Sequence, residues 1–86
     1  MTKAEREYMS RIACLPCCVC GDHGVHLHHV REGQGMAQRA KNWLVVPLCP
    51  DCHTGPNGLH GDRSRMRIYK VDEMDMLAAT IEAMNA

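Results

Sequence analysis

Apolar residues along this chain fall into four segments with different periods. In residues 2–13, Tyr8, Met9 and Ile12 recur at helical spacing among charged neighbours, which predicts a short helix. Thr2 and Glu5 have capping-box spacing at its start, and Pro16 stops it. Val25 to Val30 reads as a strand, and Trp43 to Leu48 has the length and valine content of a second one. Gly33 and Gly35 mark a loop between them. In the last segment Asp72 caps an amphipathic helix expected to turn Met74, Leu77, Ala78, Ile81 and Met84 inward. Between these segments lie two turns. Cys17 to Gly21 reads as a knuckle, and Cys49 to His53 as a second turn opening a short helix that Gly55, Pro56 and Gly58 must break. Two strands and a helix in the middle, flanked by helices, make an α+β arrangement.

Length and composition add a constraint. With 86 residues there is room for one domain, spanning 1–86, without repeats, linkers or low-complexity tracts. There is no Phe, one Trp and two Tyr, and much of the apolar content is Met. A chain this small with so thin a core needs disulfides or a metal to hold it. The six cysteines supply either. The opening MTKAEREYMSRIA is charged throughout and lacks the apolar region of a secretory signal. No stretch approaches the roughly 18 apolar residues of a membrane span. The expected setting is therefore cytosolic, with no membrane partner, where thiols stay reduced and clustered Cys reads as metal binding.

Charge is balanced, with ten Lys and Arg against ten Asp and Glu, so composition does not announce a nucleic-acid partner. Its distribution says a little more. Seven basic residues lie between Arg31 and Lys70, against Glu32, Asp51 and Asp62, while the tail from Asp72 carries four acids and no Lys or Arg. A basic middle permits phosphate binding, and a solvated polar surface accounts for it equally well.

The strongest chemical signal is the pair of knuckles. Cys17-x2-Cys20 and Cys49-x2-Cys52 can each give two thiolates to one tetrahedral zinc. A two-residue gap lets both sulfurs of a turn reach a single ion, and Gly21 eases the first turn. Cys14-x2-Cys17 is also a legal pair. The register Cys17/Cys20 is preferred because of that glycine and because Pro16 sits just before the knuckle, leaving Cys14 and Cys18 as small apolar fillers.

Histidines cluster around the knuckles. His28 and His29 end the first predicted strand, His53 abuts the second knuckle, and His60 follows seven residues later. Neighbours on a strand point to opposite faces, so His28 and His29 are expected to play different parts, one ligating and one facing substrate. His23 and His26 read as ordinary loop and strand residues.

These residues carry a family resemblance. Cys17-x2-Cys20-Gly21, Leu27-His28-His29-Val30, Pro47-Leu48-Cys49-x2-Cys52-His53 and His60 together resemble the zinc-knuckle HNH endonucleases. The match covers residues 17–62, and HHVREGQG, WLVVPLC and LHGDR look closest to small phage HNH proteins of the recombination-enhancement nuclease kind. The resemblance implies a ββα-metal core and DNA as substrate, in the cytoplasm of a bacterial host and phage- or prophage-encoded. It implies His28, His53 and His60 as ligands of a catalytic divalent ion, His29 as the general base and Asn42 as the residue bracing the base's loop. TGPNG must then loop out and return His60 to the site. Phosphodiester hydrolysis of this kind leaves a 5′-phosphate. An imidazole titrates near neutral pH and suits the base. Three imidazoles suit Zn2+, Ni2+ or Mn2+ better than Mg2+ alone. Arg31, Arg63 and Arg65 are candidate phosphate contacts.

Two other readings use the same residues. A non-catalytic DNA-binding module would keep the structural zinc and make the histidines structural. An interaction domain would use the Met-rich C-terminal helix as the surface for a dimer or a protein partner. HExxH is absent, which removes the common metalloprotease pattern, and the deaminase signature is not met because Leu48 separates Pro47 from Cys49.

Overall fold

The structure is a computed structural model that describes residues 1–31 and 41–86. Its elements run α1 (Lys3–Ala13), β1 (His26–His29), β2 (Val45–Leu48), α2 (Pro50–His53), α3 (Ser64–Tyr69) and α4 (Glu73–Met84). The expected α+β class is what the chain forms, with both strands trimmed at their N-terminal ends and β1 shortened by Val30 as well. The predicted Gly33 and Gly35 loop lies outside the described residues.

The two strands pair antiparallel, with His26 opposite Leu48 and His29 opposite Val45. Every residue of β2 is buried, whereas β1 buries only His28. A two-stranded ribbon is marginal alone, so helices must cover it. Ile12 of α1, Met66 of α3 and Met76 and Leu77 of α4 are buried with Val45, Val46 and Leu48. Among the described residues the sheet has two strands, so β2 has a free edge at which Pro47 is tolerated. Its carbonyl accepts from the Cys18 N–H at 2.9 Å, which docks the first knuckle onto the strand that leads into the second.

Both terminal helices start as their sequences require. Thr2 and Glu5 form the expected capping box on α1, and Asp72 with Asp75 forms one on α4. The inward face of α4 differs from the expected one. Met76, Leu77 and Thr80 are buried, while Met74 and Ile81 stand about half exposed, at 50% and 48%. Thr80 is the reason. Its hydroxyl donates to the Met76 carbonyl at 2.8 Å, so a residue that reads as polar packs as an apolar one and rotates the buried stripe.

Helix α3 has no forecast in the sequence. It buries only Met66 and is bounded by Arg63 and Lys70, both with left-handed backbone and no capping side chain. Cys14 was expected to fill apolar space but is exposed at the C-cap of α1, where the helix ends before the knuckle begins. Cys18 packs against the core as expected. Among the described residues, no helix is long and apolar enough to cross a membrane.

Candidate functional site

Two clusters of ligand-type side chains meet at α2. In the first, the sulfurs of Cys17, Cys20, Cys49 and Cys52 all lie within 4.8 Å of one another. A tetrahedral ion with Zn–S bonds of about 2.3 Å needs sulfurs roughly 3.8 Å apart. Cys20 and Cys49, at 3.5 Å, are already close to that spacing. The knuckle backbone supports the sulfurs. The Val19 N–H donates to Cys17 Sγ at 3.4 Å, and the Gly21 N–H closes the turn onto the Cys17 carbonyl at 2.9 Å. Gly21 has φ +83, a backbone that side chains disfavour. The structure therefore takes the Cys17/Cys20 register.

Electrostatics at this cluster favours the thiolate at Cys17, while burial favours the neutral thiol at Cys20 and Cys52. Burial pushes the Cys17 thiol up, but backbone N–H groups of Cys20, Cys49 and Val19 outweigh it and bring it down to about 7. Burial pushes the Cys52 thiol up, opposed by Arg65, whose Nε donates to Cys52 Sγ at 3.3 Å. Four thiolates around a divalent cation carry net negative charge, and the Arg65 guanidinium sits against it. The donor set, its spacing and its burial fit zinc, which would staple β2 and α2 to the first knuckle.

The second cluster is built from imidazoles. Ligand nitrogens of His28, His53 and His60 lie within 4.8 Å of one another. His53 Nε2 and His60 Nε2 face each other at 3.1 Å, and the His28 ring centroid is 5.2 Å from each of the other two. His28 Nε2 is buried without a hydrogen-bond partner among the described residues. Its nearest acid is Glu73 Oε2, at 3.5 Å, which accepts instead from the Arg31 N–H at 3.1 Å. Buried polar groups are normally paired, so an orphaned nitrogen on a ring clustered with two other imidazoles fits a divalent ion bound among the three. Burial also holds the His28 ring below the ordinary imidazole range, with Glu73 opposing it. An unprotonated ring is the form that ligates.

His60 reaches this cluster through a tight return of the chain. The Leu59 N–H donates to the Cys52 carbonyl at 2.7 Å and the His60 N–H to the His53 carbonyl at 2.9 Å. Gly58 permits the approach, because a Cβ there would meet the Asp51 carbonyl oxygen at 2.6 Å.

His29 points away from the cluster. Its Nε2 lies 3.0 Å from Asn42 Oδ1, and Asn42 Nδ2 donates to Glu5 Oε2 at 2.6 Å. Alternation along β1 thus separates the two neighbours, with His28 among the ligand-type rings and His29 against the segment before β2.

The three arginines occupy different settings. Arg31 and Arg63 line a cleft of about 370 Å³ together with Asp72 and Glu73, and Glu73 lies 3.5 Å from His28. Arg63 also donates from Nε to the Leu59 carbonyl at 3.0 Å. Arg65 faces Cys52 rather than this cleft.

Three participants escaped the sequence reading. His26 Nδ1 lies 3.1 Å from His53 Nδ1. If His53 ligates through Nε2, its Nδ1 carries the proton and donates to His26, which orients the ring. Period-two alternation puts His26 on the face of His28, so this signal was present in the sequence. Glu73 and Glu5 come from distant helices, and nothing local marks either.

A family model matches residues 1–83 and is described as Protein of unknown function (DUF968). No curated protein and no solved structure matches the chain.

Proposed function

The chain belongs to the DUF968 family of unknown function, and from its own residues we propose that it is a metal-dependent endonuclease of the HNH, ββα-metal kind, hydrolysing DNA phosphodiester bonds. The observation that supports this best is the division between neighbours at the end of β1. His28 joins a buried imidazole cluster suited to an ion, while His29 turns the other way and is held by Asn42. His28 and His29 lie on β1, Asn42 precedes β2, His53 ends α2 and His60 follows on the return after it, an order that suits a ββα-metal site.

His28, His53 and His60 would hold the ion. Bound there, a divalent cation would supply Lewis-acid stabilisation of the scissile phosphate and the leaving oxygen. The chain's own contribution is the proton. His29, unprotonated at one ring nitrogen, accepts a proton from the water whose oxygen attacks phosphorus. The bond from phosphorus to the 3′ oxygen breaks, leaving a 5′-phosphate, and the departing oxygen takes a proton from solvent. Asn42 keeps the His29 ring from rotating off that line. Arg31 and Arg63 stand where the cleft would receive flanking phosphates. Arg65 is better assigned to the thiolate cluster it already touches.

The test is cleavage of supercoiled plasmid, linear duplex and single-stranded DNA with Mg2+, Mn2+, Ni2+ or Zn2+, and with EDTA as control. Nicked, linear or shortened products with metal and none with EDTA are expected. No metal-dependent cleavage of any form would overturn the nuclease reading and leave a zinc-stapled DNA-binding module.

A further inference from the structure

Glu5 makes one more contact than its helix requires. Its Oε1 accepts from the Thr2 N–H at 3.2 Å, while Thr2 Oγ1 accepts from the Glu5 N–H at 3.1 Å. That closes the capping box and uses one carboxylate oxygen. The other, Oε2, accepts from Asn42 Nδ2 at 2.6 Å, across 37 residues of sequence. Asn42 then presents Oδ1 to His29 Nε2 at 3.0 Å. A second contact ties the same segment to α1, where Tyr8 packs on Trp43 with ring centroids 5.0 Å apart.

The chemistry of this chain of bonds runs one way. An amide can lie either way about, exchanging its oxygen and nitrogen. A carboxylate only accepts, so the NH2 end of Asn42 must face Glu5. Its oxygen end then faces His29, and an amide oxygen also only accepts. His29 Nε2 must therefore carry the ring proton, and in a neutral imidazole Nδ1 keeps the lone pair.

We propose that Glu5 is a positioning residue that sets the tautomer of His29 through Asn42, making Nδ1 the proton-accepting atom. The part His29 plays as a base rests on the proposed function; the tautomer does not. The N-terminal helix is thereby part of the site.

The test reads ring nitrogens and turnover separately. Long-range proton–nitrogen correlation spectra of the uniformly 15N-labelled protein, at a pH where the ring is neutral, should show His29 protonated at Nε2. Glu5→Ala should give a mixture of both tautomers. If the protein cleaves plasmid, kcat should fall about 10- to 100-fold, the range typical when a partner orienting a site imidazole is lost, with KM little changed. Thr2→Ala controls for helix stability: it removes the cap hydroxyl, leaves the Glu5–Asn42 contact, and should keep the Nε2–H signature. Glu5→Gln preserves a capping-box side chain, but its one amide oxygen cannot serve Thr2 and Asn42 together. It should fold and, with its NH2 facing Asn42, turn that amide about and shift His29 toward the Nδ1–H form. An unchanged signature in both Glu5 variants, or an equal shift in Thr2→Ala, overturns the assignment. Should wild-type protein fail to cleave DNA, the base reading falls, while the ring-nitrogen spectra still decide the part played by Glu5.

Discussion

His28 and His29 are chemically identical and adjacent, and everything that separates them is environment. One is buried beside two other rings, and the other bonds an amide. Removing each should therefore fail differently. His29→Ala should lower plasmid cleavage about 100- to 10,000-fold, the usual contribution of a general base, while calorimetric metal affinity stays near wild type. His28→Ala, His53→Ala and His60→Ala should lose metal affinity, with cleavage partly restored at raised metal concentration. A His29→Ala protein cleaving at the wild-type rate would remove it from the mechanism. The cluster also predicts a pH dependence. Burial first, and then the nearby His28, His60 and His26, bring His53 down to about 4 from an ordinary 6.5. Between those values the unfolded chain binds a proton that the folded one refuses, so stability drops as pH falls through that window. Thermal melts of protein that keeps zinc at the four cysteines but holds no ion at the imidazoles should show a falling midpoint from pH 6.5 toward 4, and His53→Asn should flatten part of that slope.

At the scale of elements, the one-turn helix α2 joins both clusters. Cys52 and His53 are consecutive, so one short helix sends a thiol to one site and an imidazole to the other. The chain then has to come back, and Gly58 lies against the Asp51 and Cys52 backbone where it does so. A methyl group at that position meets main-chain atoms that cannot swing aside. Gly58→Ala should cost about 1–3 kcal/mol, as overpacking typically does, measured by denaturant unfolding. It should also weaken metal binding at the imidazole cluster, because the same return carries His60. Stability and metal affinity both equal to wild type would show that the return tolerates a side chain.

Among the described residues, a two-stranded sheet and four short helices leave little apolar area to bury. A zinc ion held by the thiol cluster would compensate by tying the first knuckle to β2 and α2. Structural zinc in small domains contributes roughly 10–16 kcal/mol of apparent binding energy near neutral pH, against a typical domain stability of about 5–15 kcal/mol. Cys49→Ser should therefore unfold the domain or lower its Tm sharply, with loss of bound zinc measured by elemental analysis. Native stability with full zinc content in that variant would exclude Cys49 as a ligand. Cys14→Ser, at an exposed helix end outside the cluster, should change neither.

What the sequence determined by itself is what depends on residues a few positions apart. Both knuckles, both capping boxes and the opposite facing of His28 and His29 are of this kind, since turn geometry and strand period act over short spans. The tertiary structure decided the rest. Which face of α4 is buried turned on a hydroxyl finding a carbonyl within its own helix, which let Thr80 enter the core. Glu73 reached the imidazole cluster only because α4 packs on the ribbon, and Glu5 reached Asn42 only because α1 does. Local pattern chose the ligand types; long-range packing chose the groups that orient them, because those pairings arise only once the helices have closed over the strands.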